Sequence, residues 1–191
     1  MNSLKPKLIL IGASTGGPGL IEKIITSFEQ KFEGSIIIAQ HMDKVSLNSF
    51  ARRLNRINKT TEVIFCESSS EIIKSNTIYL LNDTARVEQK AELTLQTIPD
   101  FKGIYHPTID ELFFSATEMK NYDIRAYLLS GIGADGAKGL KALKDAGCYC
   151  VAQDEKTSIV YGMPKRAKEL DAASSILSID EIIKDINVFL V

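Results

Sequence analysis

Three residues whose types together cleave acyl bonds stand far apart in the chain, each just after an apolar run: Ser14, His41 and Asp135. Ser14 lies in Gly12-Ala13-Ser14-Thr15-Gly16-Gly17, a Gly-x-Ser-x-Gly pattern that lifts a serine hydroxyl above a sheet edge when it forms a strand-to-helix turn. Its glycines suit a sharp turn that needs positive φ and close backbone approach. His41 sits in Gln40-His41-Met42 and is one of only two histidines, with His106. Asp135 ends the run Ser130-Gly131-Ile132-Gly133-Ala134-Asp135 before Gly136. In such a trio the serine attacks an acyl carbon, the histidine takes and returns the proton, and the acid fixes the imidazole tautomer and balances its charge. The Thr15 backbone amide is a natural oxyanion donor, and a second would come from the Gly131-Ile132-Gly133 loop.

Each residue alone has a plainer reading. A serine in a glycine turn more often builds the turn or touches phosphate, and an aspartate in a glycine loop more often caps a helix. A phosphate-binding Walker loop fails by inspection, because Pro18 follows Gly17 where Lys is required. Gly131-x-Gly133-x-x-Gly136 is a literal dinucleotide fingerprint, with Asp154 and Glu155 about 20 residues further on, and it supplies the rival reading of a dinucleotide-binding module. Against it, Asp135 would repel a pyrophosphate. The order Ser, His, Asp differs from the Ser, Asp, His order of the α/β-hydrolase fold.

The elements that must position these residues are legible. Lys7–Ile11 and Ser35–Ala39 read as strands buried on both faces, followed by helices over 18–30 and 46–57. Glu62–Phe65, Thr77–Leu81, Ile124–Leu129 and Cys148–Ala152 read as further strands, and 136–146 as a helix. Alternation over 86–88 and 92–95 predicts an antiparallel hairpin appendage. Thr108-Ile109-Asp110-Glu111 and Ser178-Ile179-Asp180-Glu181 predict capping boxes, the first opening a helix through Met119, the second the last helix. Between 152 and 177 the pattern is looser, with a helix starting at Met163-Pro164. The expectation is one doubly wound, mainly parallel α/β domain over 1–191, whose ligands sit at the carboxyl ends of the strands.

Composition narrows the class. The chain has 191 residues, 23 Lys plus Arg against 24 Asp plus Glu, and a net charge of −1, without the basic excess of a nucleic-acid binder. Cys66, Cys148 and Cys150 form no Cys-x-x-Cys pair and two histidines make no metal cluster, so neither a disulfide framework nor a metal site is expected. No apolar run approaches the ~18 residues of a membrane span, and no signal peptide is visible. A cytoplasmic protein without membrane insertion is expected.

Taken together, Ile11 to Pro18, Gln40-His41-Met42, Leu129 to Ala137, Ala152-Gln153-Asp154-Glu155 and Tyr161-Gly162-Met163-Pro164 resemble the catalytic domain of the chemotaxis protein-glutamate methylesterases, CheB, over nearly all of residues 7–185. The resemblance implies hydrolysis of glutamate γ-methyl esters on methyl-accepting chemoreceptors with release of methanol, and in many members deamidation of receptor glutamines. It places nucleophile, base and acid on Ser14, His41 and Asp135, and implies no cofactor. Family members usually carry a receiver domain ahead of this one, whereas Met1 lies six residues before the first strand; a separate regulator is the expected substitute. The chain departs from the family pattern at Asp43 (usually Pro), Ile132 (usually Met) and His106 (usually Arg), all around the pocket. A third reading, a catalytically inactive receptor-docking domain, differs from the esterase only in turnover.

His106 is a second candidate base, but its place beside Pro107 before a helix favours a surface role. Arg52, Arg53, Arg56 and Lys59 cluster on and after the helix that follows His41; the plainer reading is a solvated helix face, and the alternative is a charge that steers an acidic receptor helix.

Overall fold

The computed structural model describes residues 5–99 and 101–191. Its elements run β1 (Lys7–Ala13), α1 (Gly17–Thr26), β2 (Ser35–Gln40), α2 (Lys44–Ile57), β3 (Glu62–Cys66), β4 (Ser70–Ile72), β5 (Thr77–Leu81) and β6 (Ala85–Gln89). They continue with β7 (Leu93–Thr97), α3 (Ile109–Ala116), β8 (Asp123–Leu128), α4 (Ala137–Asp145), β9 (Tyr149–Gln153), α5 (Met163–Glu169), β10 (Ser175–Leu177) and α6 (Ile179–Leu190). Seven strands make one sheet in the order β10-β9-β8-β1-β2-β5-β3, every pairing parallel.

The apolar runs explain why the sheet is covered twice. Alternate side chains of a strand face opposite ways, so Leu8 and Leu10 enter one core with Leu112, Phe113, Leu140 and Met163. Ile9 and Ile11 enter the other with Ile21, Ile24, Leu47, Leu54, Ile182 and Ile186. Helices α3, α4 and α5 therefore cover one face and α1, α2 and α6 the other, the expected doubly wound arrangement. Truncating any of these buried Leu or Ile side chains to Ala costs about 2–5 kcal/mol.

β1 lies between β2 and β8. The chain leaves β1 toward β2 on one side and later returns to build β8 on the other, so the crevice at the carboxyl ends of β1 and β8 is the topological switch point where such sheets bind ligands.

The expected hairpin is there as β6 and β7, but it is part of a three-stranded antiparallel sheet in the order β4-β7-β6. Its Ala85, Val87, Leu93 and Leu95 pack into the first core. Helix α1 ends at Thr26 and not at Gln30, because the Ser27 N–H and hydroxyl both bond the Ile24 carbonyl. The box at Ser178 and Glu181 forms as expected. The one at Thr108 does not: its hydroxyl donates to Asp135, and Glu111 pairs with Arg86 instead. Helix α3 stops at Ala116, before Met119. The segment read as loose contains α5 and the edge strand β10.

Candidate active site

Ser14 follows β1 directly. Its N–H donates to the Ser130 carbonyl after β8 at 3.0 Å, and its carbonyl accepts the Gly17 N–H at 2.9 Å. Gly16 caps α1 with φ 85°, a conformation that favours glycine. Gly131 must also be glycine, since a Cβ there would lie 2.6 Å from the Ser14 Cβ and would strike the Met163 sulfur. Ser130 Oγ donates to the Thr15 carbonyl at 2.7 Å and accepts the Val160 N–H at 2.9 Å. The turn is thus held by backbone and buried side chains, while the Ser14 hydroxyl donates to no acceptor among the described residues.

His41 follows β2 as Ser14 follows β1, each one residue beyond the last pair, Ala13 and Gln40, so both leave neighbouring parallel strands at the same sheet edge. Its N–H donates to the Ala13 carbonyl at 2.9 Å. Its Nε2 is 2.7 Å from Asp135 Oδ2, and the two side chains are 9% and 5% exposed. An ionised carboxylate only accepts, so Nε2 carries the proton and Nδ1 is the free lone pair. Nδ1 is buried and, among the described residues, has no partner.

Asp135 is the most connected group of the site. Oδ2 also accepts the Ile109 N–H at 2.8 Å. Oδ1 accepts Thr108 Oγ1, the Asp110 N–H and the Gly136 N–H, each at 3.0 Å. Burial pushes this carboxyl up, but the hydrogen bonds from His41, Ile109 and Asp110 outweigh it and hold it below the ordinary carboxylate value. The acid therefore stays ionised, and it also caps α3 in place of the expected capping box.

The Thr15, Ile132 and Gly133 N–H groups donate to no acceptor among the described residues. The Gly131 N–H is taken by the Val160 carbonyl at 3.0 Å, which removes it as an oxyanion donor and leaves Ile132 and Gly133 in that loop. Gly133 has φ 89°. Tyr105, to which the sequence reading gave no role, stacks its ring on His41 with centroids 4.7 Å apart and planes 5° apart. Nothing in its neighbourhood in the sequence announces this contact.

The remaining candidates fall outside the centre. His106 Nδ1 is 3.2 Å from Asp83 Oδ1 and Nε2 is 3.1 Å from the Gly103 carbonyl, a half-exposed loop tie. Gln153 is fully buried, accepts the Ser130 N–H at 2.9 Å and donates to the Thr157 carbonyl at 2.9 Å. Asp154 caps its own turn through Thr157. The dinucleotide reading is not supported: where a pyrophosphate would meet the start of α4, the Gly136 N–H is taken by Asp135 and the Gly139 N–H by Asp110. Burial pushes the Cys66 and Cys150 thiols up to about 12, so neither is a ready nucleophile.

Comparison with known proteins gives the family. Residues 9–186 match the family model described as CheB methylesterase. The chain is 35% identical over 186 residues to protein-glutamate methylesterase/protein-glutamine glutaminase 1 of Carboxydothermus hydrogenoformans, covering 94% of this chain and 54% of that protein. It is 35% identical over 178 residues to a Burkholderia orbicola protein of the same description, numbered 3, covering 93% and 52%. The chain thus spans about half the length of these relatives. The crystal structure of the Thermotoga maritima CheB methylesterase catalytic domain aligns with TM-score 0.85 and 26% identity, covering 96% of this chain and 98% of that one. The chain belongs to the CheB methylesterase family.

Proposed function

We propose that this chain is a serine hydrolase that removes methyl groups from glutamate γ-methyl esters of chemoreceptors, releasing methanol, and deamidates receptor glutamines by the same route. The observation that carries the reading is the His41–Asp135 pair, with Nδ1 left open at the strand end beside Ser14. The relatives' names, protein-glutamate methylesterase and protein-glutamine glutaminase, support protein glutamate esters and glutamines as the substrate class.

In the proposed cycle His41 Nδ1 accepts the Ser14 hydroxyl proton as Oγ bonds to the γ-carbonyl carbon. The carbonyl oxygen becomes an oxyanion, facing the Thr15 N–H and a second N–H from Ile132 or Gly133. Asp135 offsets the charge on the imidazolium. Collapse breaks the bond to methoxide, which leaves as methanol with the proton from Nδ1; for glutamine, ammonia leaves instead. Water then attacks the Ser14 ester, His41 again accepts and returns a proton, and the free glutamate is released. Side chains and water suffice, so the proposal includes no cofactor.

The surface suits a protein segment better than a small molecule. Val45, Ile104, Ile132 and Ile159 are 78%, 92%, 60% and 69% exposed, and all stand on loops or helix starts at the catalytic edge, where an apolar rim marks a docking surface. An open groove of about 480 Å³ lined by Lys44, Asn48, Arg52 and Phe65 lies on the α2 side. A cytoplasmic setting belongs to the same proposal; among the described residues no helix is long and apolar enough to cross a membrane.

The test is methanol release from methylated chemoreceptor membranes, with Ser14→Ala shown by circular dichroism to be folded. The expected loss is on the order of 10³-fold or more. Equal release by both proteins, or none by the parent, overturns the proposal.

A further inference from the structure

Gln40 ends β2 and is 1% exposed. Its Nε2 donates to two backbone carbonyls at once, that of Ser14 at 2.9 Å and that of His41 at 3.0 Å. Both acceptors are carbonyl oxygens, so only the NH₂ end of the carboxamide can meet them, which fixes the orientation of the amide. One side chain therefore joins the nucleophile's backbone to the base's.

The consequence follows from peptide geometry. A trans peptide is planar, with its C=O and N–H pointing in opposite directions. The Ser14 carbonyl and the Thr15 N–H belong to the same peptide unit. Drawing that carbonyl down onto a buried amide turns the Thr15 N–H away from the interior, and that N–H donates to no acceptor among the described residues. His41 is held at both backbone ends, its carbonyl by the same NH₂ and its N–H by the Ala13 carbonyl.

A glutamine that merely filled a strand end would satisfy both of its polar ends. Here Oε1 is buried and, among the described residues, has no partner. It lies against Gly17, where a Cβ would run into it and come 2.7 Å from the Ala13 Cβ. The second glycine of the Gly16-Gly17 pair is the space into which this amide fits.

We propose that Gln40 is a positioning residue for the hydrolysis, its buried carboxamide setting the Ser14–Thr15 peptide so that the Thr15 N–H faces the oxyanion while it fixes the backbone of the base. The inference rests on the serine-esterase reading.

The experiment uses the full chain with Gln40→Met, which keeps the length of the side chain and removes its donors, and Gln40→Glu, which offers at most one donor for the two carbonyls. Gly17→Ala crowds the amide without removing its hydrogens and serves as a third variant should the first two not fold. The ¹³C′ resonances of Ser14 and His41 report hydrogen bonding at the two carbonyls, whatever the activity. Both should move upfield while carbonyls remote from the turn stay in place. Methanol release should lose kcat on the order of 10²-fold with KM little changed, and a boronate that forms a tetrahedral adduct on Ser14 should lose affinity by a similar factor. Unmoved Ser14 and His41 carbonyls, parent-like kcat, or a loss confined to KM would overturn the proposal. A parent without methanol release would instead count against the esterase reading, and the carbonyl resonances would still decide whether the amide sets the turn.

Discussion

Asp110 and Asp135 cap each other's helices. Asp135, just ahead of α4, accepts the Ile109 and Asp110 N–H groups that open α3. Asp110, in the first turn of α3, accepts the Gly139 N–H in the first turn of α4 at 2.7 Å. The acid of the site is thus part of the joint between two helices.

The two carboxyls respond oppositely to pH. Burial raises Asp110 above its ordinary value, and the neighbouring Asp135 charge adds to the rise against the Gly139 N–H. An acid raised on folding favours the native state as pH falls and costs stability once ionised. Asp110→Asn keeps an oxygen for Gly139 without the charge. It should melt above the parent at pH 7, with the gap closing toward pH 3. Asp110→Ala, which leaves Gly139 unsatisfied, should melt below the parent at both. Thermal scans across pH check the pair.

Asp135 is lowered from 3.8, so its contribution is present above that pH and is lost as pH falls through the lower folded value. Asp135→Asn should remove this acid-side loss. Two donors meet one carboxylate oxygen and three the other, so either orientation of the new amide sets an NH₂ against at least two donors. We expect a loss of about 2 kcal/mol or more, a Tm lower by several degrees, and turnover down on the order of 10⁴-fold. Calorimetry and methanol release measure the two losses separately.

Tyr105 lies flat on His41, where an aromatic face would favour the imidazolium of the proposed cycle. Tyr105→Phe should retain nearly parent turnover, and Tyr105→Leu should lower kcat/KM by roughly two- to fivefold. Equal activity of the Leu and Phe variants would show the ring to be idle.

The basic cluster on α2 is not uniform. Arg53 pairs with Glu22 across to α1, so reversing its charge disturbs helix packing as well as the surface field. Arg52 and Arg56 make no ion pair among the described residues and are the cleaner test of steering. Their joint reversal to Glu should raise KM for receptor membranes and flatten its salt dependence. An unchanged KM with unchanged salt dependence removes the steering idea.

The sequence was most readable where one local pattern decides the outcome. The apolar runs of β1, β2 and β8 identify buried parallel strands, and the residues that follow them, Ser14, His41 and the loop to Asp135, reach one edge because parallel strands end together. Contacts decided at long range were hidden. Thr108 and Glu111 carry the letters of a capping box, yet a carboxylate 27 residues away took over the cap. β4 is only three residues, Ser70–Ile72, with no buried position to give it alternation. The placement of Tyr105 over His41 and the double hydrogen bond of Gln40 depend on loops and strand ends meeting in space, and single-sequence patterns do not encode those meetings.

The unequal wiring of Ser14 and Asp135 bears on how such domains lose function over evolutionary time. The hydroxyl of Ser14 bonds no partner among the described residues, so a lineage released from selection for turnover can replace it while the fold persists. Asp135 fastens two helices and would be retained in a descendant that had become inert. In a paralogue, then, a preserved aspartate testifies to architecture, and the identity of the residue at position 14 is the more sensitive record of whether chemistry is still under selection.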